Sequence, residues 1–138
     1  MVQKIGVVGA GQMGNGIAQV AAAAGYDVTL VDIKQEFVDG GLANIEKNLG
    51  RMVAKDKISQ ADADAARGRV AGSVSTSDLA DCDLVVEAII ENEDIKISLW
   101  KELHGLCKAS TIFASNTSSI PLPKMATATS RPERFIGM

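Results

Sequence analysis

The segment from Lys4 to Asp32 constrains this chain more than any other. Lys4-Ile-Gly-Val-Val8 is a short apolar run of strand character, and Gly9-Ala-Gly-Gln-Met-Gly14 follows it directly with the spacing G-x-G-x-x-G. From Met13 the apolar positions Ile17, Val20, Ala21 and Ala24 recur at helical intervals, and Gly25 closes the helix. Asp27 to Val31 then reads as a second strand ended by Asp32. The pattern predicts a complete βαβ unit, the building block of a doubly wound α/β sheet.

Each residue of the turn has a physical task in that unit. Gly9 lets the chain leave the strand sharply, Gly11 leaves room for a pyrophosphate beside the backbone, and Gly14 lets the helix pack closely on the sheet. The unpaired amides at the helix start face the phosphates. A carboxylate at Asp32 accepts hydrogen bonds from the adenosine ribose hydroxyls and repels a 2′-phosphate, which favours NAD. Lys34, two residues later, leaves NADP open. A glycine cluster also marks ordinary turns, but the strand before it, the helix after it and the acid at the expected distance agree on dinucleotide binding.

The rest of the composition narrows the field by exclusion. The chain has 138 residues, enough for a single domain, with 46% hydrophobic and 22% charged residues and a net charge of −3. No basic block with interleaved aromatics suggests nucleic acid, and glycine or charge breaks every apolar stretch before a bilayer span. A strand beginning this near Met1 leaves no room for a targeting segment. Cys82 and Cys107 lack metal-ligand or redox spacing and read as buried thiols of a reducing compartment, so no metal is expected.

Beyond Asp32, residues Glu36 to Lys57 are helix-permissive, with Phe37, Leu42, Ile45, Leu49, Met52 and Val53 as a broken apolar stripe. Lys47, Arg51 and Lys55 recur every four residues and share one face, either a solvated surface or a docking strip for a phosphorylated ligand. Ser59 to Arg67 reads as a short capped helix, Val70 to Ser75 as a third strand and Ser77 to Ala80 as a tight helical turn. Cys82 to Ile90 has the unbroken apolar centre of a strand buried on both faces, with Glu87 and Glu91 at its carboxyl end. Those acids either face a ligand or make contacts on the rim.

Asp94 to Lys108 is a predicted helix with Ile95, Leu99, Leu103 and Leu106 on its inner side. His104, the sole histidine, belongs to this flanking helix and reads as a surface or capping residue. Thr111 to Ser115 is a fifth strand, followed by the polar cluster Asn116-Thr-Ser-Ser119, which either caps the next helix or faces nicotinamide and substrate. Pro121 and Pro123 open a short helix to about Ala128, and Arg134 to Met138 begins a sixth strand.

Taken together, GAGQMGNGIAQ, VDIKQEFVDGG, DLVVEAIIENEDIK, FASNTSS and RPERFIGM resemble the N-terminal domain of the 3-hydroxyacyl-CoA dehydrogenases, including the bacterial 3-hydroxybutyryl-CoA enzymes. The resemblance covers essentially the whole chain. It implies a Rossmann-type, doubly wound, mostly parallel sheet with helices on both faces, and NAD as cofactor. It also implies fatty-acyl-type substrates carried on coenzyme A and homodimers formed through a second domain. The expected location is the bacterial cytoplasm, with a processed organellar protein left open. Residue by residue, it assigns Gly9, Ala10, Gly11, Gln12, Met13 and Gly14, with Asp32 and Ile33, to the dinucleotide. Ala88, Glu91 and Lys96 line its nicotinamide half. Asn116 and Ser118 stand beside the reacting centre, Ser118 hydrogen-bonding the substrate's 3-oxygen in a catalytic role. Asn48 and Lys55 match positions that touch coenzyme A.

In the family, RFIGM is followed at once by a histidine in an HFFNP-like run, the general base, which a later glutamate orients. Here Met138 ends the sequence. The expectation is therefore an NAD-binding domain spanning residues 1–138, without the base and the helical second domain, and inactive by itself. Two other readings remain: a stand-alone NAD-binding module without turnover, or a dehydrogenase of another 3-hydroxy acid. A chain that stops within a strand argues against the first of these.

Overall fold

The computed structural model describes residues 2–89, 92–115 and 135–137, the last three through their backbone alone. Six strands form one sheet: β1 (Lys4–Val8), β2 (Asp27–Val31), β3 (Val70–Ser73), β4 (Leu84–Glu87), β5 (Ile112–Ser115) and β6 (Phe135–Gly137). Their order is β3-β2-β1-β4-β5-β6 and every neighbouring pair is parallel. The order reverses between β1 and β4, which is where ligands enter sheets of this kind. The expected helix from Pro121 to Ala128 lies outside the described residues.

Strand alternation sends successive side chains to opposite faces, and each face has its own apolar cluster. Ile5, Val7, Val28, Leu30, Val86 and Ala114 pack under α1 (Gln12–Ala23), α2 (Gln35–Ala54) and α3 (Gln60–Gly68). Val8, Val31, Val85 and Phe113 pack under a 3₁₀ turn (Thr76–Leu79) and α4 (Glu93–Leu106). Helices therefore cover both faces. Ser59 caps α3 by accepting from the Asp62 amide at 3.0 Å, and Asn92 caps α4 by accepting from the Ile95 amide at 3.1 Å.

Three helices present a different face to the sheet than apolar periodicity predicts. In α1 the buried positions are Gly14, Asn15, Ala18 and Ala22, while Val20 is 71% exposed. Small residues let the helix sit close to the sheet, which the bulkier stripe through Ile17 and Val20 would prevent. In α2, Val38 is buried and Phe37 is exposed. In α4 the inner residues are Lys96, Trp100 and Leu103, with Ile95 and Leu106 turned outward. Trp100 sets that rotation by packing on Phe113, ring centroids 4.8 Å apart.

The two strands expected at Val70–Ser75 and Cys82–Ile90 are shorter than predicted. For the second, Cys82 and Asp83 are given over to fastening the sheet. The Asp83 carboxylate accepts the backbone amides of Gln3 at 2.9 Å and Lys4 at 3.0 Å, and pairs with Lys108. Lys108 first, and then the two amides, hold its carboxyl far below the usual carboxylate range. Because the folded state favours the ionised form, this contribution is complete at neutral pH and fades as pH falls below about 4. Asp83→Asn is expected to lower the melting temperature at pH 7, with the difference from the parent shrinking steadily between pH 4 and pH 2. A difference that stays constant across that range would remove this role.

Candidate functional site

The carboxyl ends of β1, β2 and β4 open into a cleft of 970 Å³. Its floor is the turn after β1, from Gly9 to Gln12, and its walls are α2 and α4. Gly9 has φ +108°, and a side chain there would meet the Ala88 carbonyl oxygen at 2.5 Å. A Cβ at Gly14 would lie 1.6 Å from the Gly9 carbonyl oxygen, so the start of α1 rests directly on the turn. Gly11 differs from both. Its backbone is extended, and a Cβ there would meet nothing within 4 Å.

Helix α1 begins at this turn with neither a side-chain cap nor an acidic residue in its first turn. Its leading amides therefore face the cleft with the positive end of the helix dipole behind them, as a phosphate requires. Asp32 lines the cleft beyond β2. One carboxylate oxygen accepts the Ala10 amide at 2.8 Å and the other the Ile33 amide at 2.7 Å. Each oxygen retains acceptor capacity after one such bond, so the same carboxylate can steady the turn and receive ribose hydroxyls. The residues present thus fit a dinucleotide.

The charge of the cleft bears on which dinucleotide. Asp32, Glu36, Asp94 and Glu102 line it, and no Lys or Arg does among the described residues. Lys34, which leaves NADP open on sequence grounds, stands 4.0 Å from Glu36 and over the Phe37 ring at 5.6 Å, outside the lining. A 2′-phosphate would meet carboxylates instead of a cation.

Of the residues singled out from sequence, Gly9, Ala10, Gly11, Gln12, Asp32, Ile33 and Ala88 come together around the cleft. Gly14 is buried beneath it and Met13 is 59% exposed beside it. Lys96 is fully buried, with its ammonium 3.2 Å from Glu87 and outside the lining. Glu87, equally buried, faces the protein and not a ligand. Asn48 is half-buried further along α2 and Lys55 is exposed just past its end, both beyond Asn44, the last residue of α2 that lines the cleft. His104 is exposed on the last turn of α4, away from the lining. Glu91, Asn116 and Ser118 lie outside the described residues.

Of the apolar walls, sequence reasoning found only Ile33, which is 80% exposed, and missed Phe37, Val74 and Ile95, which are also open to solvent around the same cleft. Four such side chains about one opening mark a surface shaped for a flat apolar ligand. The signal available in the sequence was the conflict between Ile95 and Lys96 for the inner face of α4. Cys82 is buried in the layer beneath α4, and burial pushes its thiol up to about 12, which makes it inert at neutral pH.

A parallel sheet wound in this order, with a glycine turn under its switch point and an acid ending β2, defines the Rossmann class of dinucleotide-binding domains. Residues 4–138 match the family described as 3-hydroxyacyl-CoA dehydrogenase, NAD binding domain, and the chain belongs to that family. It is 54% identical over 135 residues to a probable 3-hydroxybutyryl-CoA dehydrogenase of Deinococcus radiodurans, covering 98% of this chain and 48% of the relative. A 3-hydroxybutyryl-CoA dehydrogenase of Bradyrhizobium diazoefficiens is 46% identical over 138 residues, covering 100% and 47%. Among solved structures, the (S)-3-hydroxybutyryl-CoA dehydrogenase of Ralstonia eutropha superposes with a TM-score of 0.96 at 45% identity, covering 100% of this chain and 49% of that one. The chain spans about half the length of these curated relatives. NAD is the cofactor of the family to which this fold and cleft belong.

Proposed function

We propose that this chain is the cofactor-binding domain of an NAD-dependent dehydrogenase that interconverts (S)-3-hydroxyacyl-CoA and 3-ketoacyl-CoA. The observation that carries the reading is the pairing of an open Gly11 with Asp32 across one cleft, in a chain about half identical to 3-hydroxybutyryl-CoA dehydrogenases. Bound NAD supplies the hydride acceptor for C3 of the substrate.

The chain's own residues bind and orient. The amides opening α1 hold the pyrophosphate, Asp32 holds the adenosine ribose, and Ile33 and Phe37 flank the adenine. Ala88 and Ile89 border the nicotinamide, with Glu91 and Lys96 supporting that half. Ser118, with Asn116 beside it, holds the substrate's 3-oxygen in line for transfer, where the reacting carbons must approach to about 3–3.5 Å. In such enzymes the histidine base directly follows the RFIGM segment, and a helical second domain supplies most of the dimer interface. Asn48 on α2 and Lys55 just past its end receive the coenzyme A handle. Two free buried thiols favour a reducing compartment, the cytoplasm.

The test is dinucleotide binding by the chain itself. NADH is expected to bind well ahead of NADPH in a fluorescence titration, and Asp32→Ala is expected to weaken NADH by about tenfold while changing NADPH much less. Equal losses for the two cofactors would end the role given to Asp32. Failure of the parent chain to bind NADH would end the reading as a whole.

A further inference from the structure

Beneath the β4 side of the cleft is a polar cluster that dinucleotide binding does not explain. Glu87, Lys96 and Ser115 are all fully buried in an otherwise apolar layer. Glu87 ends β4 and lies in register with Ser115, which ends β5. Its carboxylate receives three donors from three different segments. Ser115 Oγ donates to Oε1, and Oε2 takes both the Ile89 amide at 2.9 Å and the Lys96 ammonium at 3.2 Å.

Two of those segments lead directly to the place where chemistry is proposed. Ala88 and Ile89 line the cleft, and the Ala88 carbonyl is the group against which the Gly9 turn is packed. Asp32 marks the adenosine half beyond β2, so the β4 side is the nicotinamide half. Ser115 immediately precedes Asn116 in the chain. An ion pair is an expensive way to fill a buried layer, and apolar residues of similar size serve stability as well. What apolar residues do not offer is a fixed acceptor that draws a loop amide, a helix and a strand end to one point.

We infer that Glu87 is a positioning residue, held by Lys96, that sets the backbone at Ala88–Ile89 and the end of β5 so that the nicotinamide ring is seated for transfer. The inference rests on the dinucleotide reading above and adds to it a residue that touches no ligand. In this arrangement Lys96 serves the nicotinamide half through Glu87.

The experiment compares NADH with ADP-ribose, which lacks only the nicotinamide, by calorimetric titration of the 138-residue chain. The double variant Glu87→Met/Lys96→Met removes both charges together and keeps the layer filled. It is expected to bind ADP-ribose within about twofold of the parent and NADH about tenfold more weakly. Ser115→Ala, which removes one hydrogen bond and no charge, is expected to show the same selectivity at about threefold, and it decides the matter if the double variant does not fold. Parallel losses for both ligands, or no loss for either, in a parent that binds both would overturn the positioning role and leave dinucleotide binding intact. A parent that binds neither ligand would overturn both readings.

Discussion

Gly11→Ala is expected to leave the fold and its melting temperature unchanged while weakening NADH binding by about 10- to 100-fold. The two halves of that expectation come from the same geometry. Gly11 has ordinary extended backbone angles, and an added Cβ meets nothing within 4 Å, so the free chain accepts alanine without strain. The space that the methyl group fills is the cleft floor, directly before the uncapped start of α1. Forcing an extra carbon against a closely held group costs about 1–3 kcal/mol, which sets the loss of affinity. Gly14→Ala supplies the contrast. There the Cβ would collide with the Gly9 carbonyl at 1.6 Å, so the same substitution should unfold or severely destabilise the chain before any ligand is added. Thermal melts and NADH titrations of the two variants check both halves. If Gly11→Ala binds NADH normally, the pyrophosphate does not cross the turn at that residue.

This contrast also shows why some of the site was readable from sequence and some was not. The glycine loop, Asp32 and the βαβ unit around them are local: their spacing along the chain carries their geometry, and strand and helix limits followed within a few residues. The facing of α4 is not local. Ile95 and Leu99 look like core residues by period and composition, yet they line the cleft, because an apolar side chain reserved for a ligand has the same sequence signature as one reserved for the core. Lys96 looks like a surface residue and is fully buried, because it pairs with Glu87 on a strand several residues earlier and periodicity is blind to pairing. Phe37 and Val38 exchange places for the first of these reasons. Lys34 shows a third limit. Whether a cation serves a phosphate depends on which carboxylate or ring it already faces, here Glu36 and Phe37.

Lys96→Met is expected to destabilise the chain by about 3–5 kcal/mol. Methionine nearly matches the lysine stem in size, so the loss is not one of packing. It arises because Glu87 would keep a carboxylate at 0% exposure with the Ile89 amide and Ser115 hydroxyl but without the ammonium 3.2 Å away. For a chain of this length, with an unfolding entropy of about 2.1 cal/mol/K per residue, that corresponds to a drop of about 10–17 °C in melting temperature. Adding Glu87→Met to the same chain removes the stranded charge and is expected to recover at least about half of the loss. The remainder reflects two buried donors, the Ile89 amide and the Ser115 hydroxyl, left without their acceptor. Recovery of stability in the double variant alongside its selective loss of NADH affinity would separate what the ion pair does for folding from what it does for the cofactor. A single variant within about 1 kcal/mol of the parent, or a double variant no more stable than the single one, would mean that the charges at Glu87 and Lys96 are not coupled in solution as the 3.2 Å separation requires.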